Sequence, residues 1–71
     1  MTTPKRPKSK ARFVFDVYVN SVGQHCWRLW ARNGRIVADS GESYKRRRDC
    51  VAMCDALTDW LYKSEVIIRP Q

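Results

Sequence analysis

Trp27-Arg28-Leu29-Trp30-Ala31-Arg32-Asn33-Gly34-Arg35-Ile36-Val37-Ala38 has the pattern of a β-hairpin, around which the rest of the chain can be placed. Trp27, Leu29 and Ala31 share one face and Arg28, Trp30 and Arg32 the other, the period of two that marks a half-buried strand. Asn33-Gly34 is the strongest short hairpin signal, because a type I′ turn needs positive φ at both central residues. A two-residue turn there sets Arg32 opposite Arg35, Ala31 opposite Ile36, Trp30 opposite Val37, Leu29 opposite Ala38 and Arg28 opposite Asp39. A one-residue slip would turn every side chain to the wrong face, so this register carries weight.

Working outward, Phe13, Phe15, Val17 and Val19 alternate with Val14, Asp16, Tyr18 and Asn20, which predicts a first strand. A three-residue turn at Ser21-Val22-Gly23 pairs Phe15 with Leu29, Asp16 with Arg28 and Val17 with Trp27. The inner face is then Phe13, Phe15, Val17, Trp27, Leu29, Ala31, Ile36 and Ala38. After residues 40–43 the period becomes helical. Cys50, Met53, Cys54, Leu57, Trp60 and Leu61 recur at spacings of three and four, predicting a helix over about residues 46–63 that covers that face. Asp59 and Lys63 are spaced for a helical ion pair. Glu65-Val66-Ile67-Ile68-Arg69 reads as a last short strand, stopped by Pro70. The fold class is α+β, in the order βββαβ.

The 71 residues amount to one domain, whose core is small for the surface it must stabilise. Small domains lean on disulfides, metals or a partner chain. Three cysteines, with no signal peptide or membrane-length apolar run, point to reduced thiols in a cytoplasmic protein that does not insert into membranes. The net charge of +7 is unevenly spread. Residues 1–12 hold five cations (Lys5, Arg6, Lys8, Lys10, Arg12) and no acid, which leaves +2 for residues 13–71. That polar, proline-containing stretch is expected to be a disordered basic tail, with the folded domain at 13–71.

Phe15-Asp16-Val17-Tyr18, the block from Trp27 through Arg28, Leu29, Ala31, Asn33 and Gly34, then Ala38, Ser40 and Tyr44 together resemble the YegP-like family of small domains of unknown function. The helix agrees more loosely, through Arg47 and Ala52, and the stretch before residue 12 lies outside the match. The resemblance implies a repeated unit of three strands, a helix and a strand, two units forming one continuous sheet and each lending its last strand to the other. A single-unit chain then implies a homodimer with residues 66–68 exchanged, and Trp60, Leu61, Val66, Ile67 and Ile68 at the contact. A loose Val-Ile-Ile strand would be an aggregation hazard, which agrees with that expectation. The family brings no assigned activity.

Residues suited to catalysis are sparse. His25 is the only histidine, and Cys26 beside it points to the opposite face of a strand. No phosphate-binding glycine loop or metalloprotease helix is present. No catalytic residue and no cofactor is expected. Cys50 and Cys54 lie one helical turn apart and would share a zinc ion only if His25 or Cys26 completed the site. Their place on the apolar stripe makes them small hydrophobes instead, so no metal is expected.

Binding surfaces are better represented. The expected register gathers Arg12, Arg32 and Arg35 at one end of the outer sheet face, beside Trp30 as a flat surface for a base. Arg28, flanked by Asp16 and Asp39, forms a self-neutralised row. Lys45-Arg46-Arg47-Arg48 opens the helix, where cations oppose the macrodipole unless an anion is held there. With Lys5, Arg6, Lys8 and Lys10 these residues predict a non-catalytic domain that binds DNA or RNA. One alternative is a protein partner docked on Val14, Tyr18, Trp30 and Val37. The other is a small anionic ligand at the helix end.

Overall fold

The computed structural model describes residues 5–69. Four strands and one helix follow the expected order: β1 (Phe13–Val19), β2 (His25–Trp30), β3 (Ile36–Asp39), α1 (Arg47–Thr58) and β4 (Ser64–Ile68). They build one sheet of order β3-β2-β1-β4, in which β4 runs parallel to β1 and the other pairs are antiparallel. The α+β, βββαβ architecture is as the sequence predicts. β4 closes on β1 of its own chain, with Phe15 beside Val66 and Val17 beside Ile68.

The first hairpin matches its predicted register, with Phe15 beside Leu29, Asp16 beside Arg28 and Val17 beside Trp27. Its loop turns at Gly23, whose φ is +82°. The Asn20 side chain fastens it, Oδ1 accepting from the Val22 and Gln24 amides at 3.1 and 3.0 Å.

The second hairpin departs from expectation by one residue. Among the described non-glycine residues only Lys63 has positive φ, so Asn33 does not adopt the conformation a type I′ turn requires. The Gly34 amide donates to the Ala31 carbonyl at 3.0 Å and the Ala31 amide to Arg35 at 2.8 Å, closing a three-residue loop with Gly34 left-handed at φ +85°. Asn33 Oδ1 accepts from the Arg35 amide at 3.1 Å and stabilises this alternative. A bulge then restores the register: Trp30 pairs with Ile36 rather than Val37, while Leu29–Ala38 and Arg28–Asp39 stand as predicted. Arg32 therefore sits in the loop and not opposite Arg35.

The core lies between the inner sheet face and α1. Phe15, Val17, Trp27, Cys50 and Cys54 are buried together, with Leu29, Tyr44, Val51, Leu57, Leu61 and Val66 packed around them. Phe15 and Trp27 meet edge to face, with ring centroids 5.4 Å apart. The helix is shorter than the periodicity suggested. It ends at Thr58, and the Trp60 and Leu61 amides donate to the carbonyls of Leu57 and Thr58, a tighter turn. Lys63, at φ +57°, then reverses the chain into β4. This removes Asp59 and Lys63 from helical spacing and swings Trp60 off the apolar stripe. Its side chain is 87% exposed.

Candidate nucleic-acid interface

The strand register separates the predicted cations into two groups. Arg12 precedes β1, and Arg32 and Arg35 flank Gly34, so all three lie at one end of the sheet. Tyr44 bridges His25 at the start of β2, which places Lys45–Arg48 and the first turn of α1 at the opposite end. The span of β2 sets the two groups roughly 20 Å apart, at ~3.4 Å per residue. All seven side chains are exposed. Arg46 stands at the helix N-cap without a side-chain cap, and Asp49 is the one acid in the first turn. The helix start thus lacks a side-chain cap and lies beside four cations, an arrangement that attracts anions.

The outer face differs most from expectation. Trp30, read as an exposed stacking surface, is 3% exposed, and Val14 and Asp16 beside it are fully buried. Its indole N–H donates to Asp16 Oδ2 at 3.1 Å. Asp16 Oδ1 accepts from Arg69 Nε at 2.7 Å, and Arg69 Nη2 reaches the Lys5 carbonyl at 2.5 Å. Asp16 therefore pairs with Arg69 rather than with Arg28. Arg28 instead lies over the Tyr18 ring, 3.8 Å from its centroid, a cation–π contact. The protein-docking surface expected at Val14, Tyr18, Trp30 and Val37 is not continuous, since two of its four members are covered.

The cover is the segment expected to be a disordered tail. From Lys5 to Ala11 it crosses the outer face, held chiefly by Arg6. That guanidinium donates to the carbonyls of Ala31 at 3.1 Å, Ala11 at 2.7 Å, Ser9 at 3.3 Å and Pro7 at 3.4 Å. Ser9 adds a hydroxyl bond to Glu65. Arg6, Pro7 and Ser9 turn inward and are half-buried, whereas Lys5, Lys8 and Lys10 are exposed. Residues 1–4 of the expected tail lie outside the described residues.

The three thiols read as packing groups. Cys26, Cys50 and Cys54 are free and buried. Burial pushes the Cys54 thiol up to about 12 and raises Cys50 as well, so both stay protonated near neutrality and are poor metal ligands. Among the described residues no group of three His, Cys, Asp or Glu side chains is placed to hold a metal ion. Burial likewise raises the Tyr44 phenol. No helix among the described residues is long and apolar enough to cross a membrane.

Depressions on the surface of the described residues include two of note. One, of 260 Å³, opens beside the helix C-terminus between Leu29, Ala38, Leu57 and Trp60, where α1 leaves the inner face uncovered. The other, of 420 Å³, lies at Tyr18, Asn20, Asp39 and Glu42. The second also holds Cys26, Ser40 and Ser43, and there the Ser40 hydroxyl donates to the Glu42 carbonyl and the Ser43 hydroxyl to Gln24 Oε1. Of the expected dimer contacts, Leu61 and Val66 pack on the chain's own core. Trp60 and Ile68 are 87% and 43% exposed, and Ile67 is half-buried.

Residues 20–55 match the family described as "Domain of unknown function (DUF1508)". The fold is also similar to the NMR solution structure of a protein from Haloferax volcanii, at 31% identity and a TM-score of 0.60, over 69% of this chain and 82% of that one. A search of curated proteins finds no match. The βββαβ topology, the Trp27–Gly34 block and these two similarities agree: the chain belongs to the DUF1508, or YegP-like, family, to which no activity is assigned.

Proposed function

We propose that this chain is a non-catalytic domain that binds nucleic acid through its phosphate backbone. One observation carries the reading. All fourteen lysines and arginines lie within the described residues, and among those residues only Arg69 has a carboxylate partner within ion-pair distance. Exposed cations left without carboxylate partners supply sequence-independent affinity for phosphates. Because Trp30 is covered, base stacking drops out of the mechanism proposed. The separation of roughly 20 Å between the two basic ends favours a polymer over a small anion, since a single small anion cannot reach both. Reversing three charges at either end, as Arg12→Glu with Arg32→Glu and Arg35→Glu or as Arg46→Glu with Arg47→Glu and Arg48→Glu, should weaken binding to a 20-nucleotide strand more than tenfold. Unchanged affinity in both variants would remove the reading.

The same proposal includes a homodimer with β4 exchanged. Three features support it: β4 is an edge strand, it follows a short connection that turns at Lys63 with positive φ, and Trp60 ahead of it and Ile68 at its end are exposed. Exchange would reproduce the β1–β4 contacts between chains and double the cationic surface. Sedimentation at micromolar concentration should then give twice the 8.4 kDa chain mass. A species at 8.4 kDa throughout would exclude the dimer.

A further inference from the structure

We infer that Arg6 is a positioning residue, which fixes Lys5, Lys8 and Lys10 as an ordered part of the phosphate-binding surface without touching phosphate itself. The inference rests on the nucleic-acid reading and assigns a separate role within it. Arg6 is half-buried, and its Nε, Nη1 and Nη2 all donate to main-chain carbonyls, those of Pro7, Ser9, Ala11 and Ala31. A guanidinium engaged in this way has little donor capacity left for a ligand.

Its bonds fold the segment back on itself and tie it to the end of β2. Ala31 directly precedes Arg32, and Ala11 directly precedes Arg12. The anchor therefore brings the segment to the end of the sheet that already carries Arg12, Arg32 and Arg35. The inward turn of Arg6, Pro7 and Ser9 leaves the three lysines facing solvent on the same segment. Two further ties, Arg69 to the Lys5 carbonyl and Ser9 to Glu65, hold its course from the β4 side.

The result is a set of six exposed cations, Lys5, Lys8, Lys10, Arg12, Arg32 and Arg35, on an ordered backbone. A mobile tail would lose its conformational freedom each time it bound phosphate. A pinned one has already lost it on folding, so the same charges bind more tightly.

This separates two consequences that a charge count merges. Removing a cation that contacts phosphate makes the salt dependence shallower by about 0.7 in log–log slope for a single strand. Removing an anchor lowers affinity while the number of phosphates neutralised stays the same. The experiment compares the full chain, Arg6→Gln and Lys8→Gln for binding to a 20-nucleotide single strand from 50 to 200 mM salt. Lys8→Gln should make the slope shallower by about 0.7. Arg6→Gln should weaken binding about tenfold at every salt concentration with the slope unchanged. Far-ultraviolet circular dichroism establishes that the sheet persists, and Arg6→Lys, which keeps the charge without the fork of donors, should lose affinity as Arg6→Gln does. A shallower slope for Arg6→Gln, or full affinity in Arg6→Lys, would overturn the inference while leaving the nucleic-acid reading intact. Absence of binding by the full chain at 50 mM salt would overturn both.

Discussion

Arg69→Met isolates the most consequential contact on the outer face. Asp16 is fully buried and the Arg69 side chain 39% exposed, with Nε and Oδ1 2.7 Å apart. Two unit charges about 4 Å apart attract by about 4 kcal/mol at an effective dielectric near 20, and by about 1 kcal/mol in water. The half-wet guanidinium places this pair between those limits, near 2 kcal/mol. That is below the 3–5 kcal/mol typical of breaking a fully buried pair. Methionine retains much of the aliphatic stem, so the loss reports charge and hydrogen bonding rather than packing. A chain of this size has a total stability of roughly 4–10 kcal/mol, so the substitution should remove a fifth to a half of it.

Urea unfolding followed by circular dichroism, at one fixed protein concentration, measures that loss. Asp16→Asn in the Arg69→Met background should be neutral or stabilising, because an uncompensated buried carboxylate is replaced by an amide that still accepts from Trp30. The double-mutant cycle should give a coupling of about 1–3 kcal/mol. A loss below about 0.5 kcal/mol for Arg69→Met, or additive single substitutions, would show that the Asp16–Arg69 pair contributes little to the fold.

Three other predictions follow from separate parts of the molecule. Arg6→Ala removes the main tie of the covering segment and should make Trp30 accessible, measured as increased acrylamide quenching in a variant whose other two tryptophans are phenylalanine; unchanged quenching would contradict the covered outer face. Cys54 has its thiol raised from 9.0 to about 12 in the folded chain, so its contribution to stability is full below pH 9 and is lost as pH rises from 9 towards 12. Under reducing conditions the wild-type chain should lose on the order of 1 kcal/mol more between pH 8 and 10 than Cys54→Ala, and equal losses would count against the assignment. Arg47→Glu places an anion in the first helical turn and should stabilise the fold by about 0.3–1 kcal/mol while weakening nucleic-acid binding; destabilisation would show that Arg47 has a structural role.

Local signals carried most of the fold. Alternation in Phe13–Val19 and Trp27–Ala31, Gly23 at its turn and the spacing of Cys50, Cys54 and Leu57 each act within a few residues, and the structure follows them. Where a choice depended on competing local geometries the reading slipped. Asn33-Gly34 suits two hairpin loops, and the three-residue loop with a bulge shifts Trp30 from Val37 to Ile36. Helical spacing also continued through Trp60 and Leu61, although the chain needs a left-handed residue at Lys63 to return into β4.

The outer face was the least legible because its determinants are distant in sequence. Asp16 finds Arg69 across 53 residues, and Arg6 finds Ala31 across 25. Neither partner follows from periodicity. The parallel docking of β4 must first be known before Arg69 can be placed near Asp16. A composition of lysine, proline and serine reads as disorder, and only the matching carbonyls of the strand ends turn Arg6 into an anchor. An acid alternating between Phe15 and Val17 was the available clue, but Arg28 offered a nearer and equally plausible partner.

Phosphate binding by the exposed cations is tested by the salt dependence of binding to a 20-nucleotide single strand, followed by fluorescence anisotropy. With the six-cation end engaged, the log–log slope should be near −4, at about −0.7 per phosphate neutralised. No binding at 50 mM salt, or a slope indistinguishable from zero, would contradict the account.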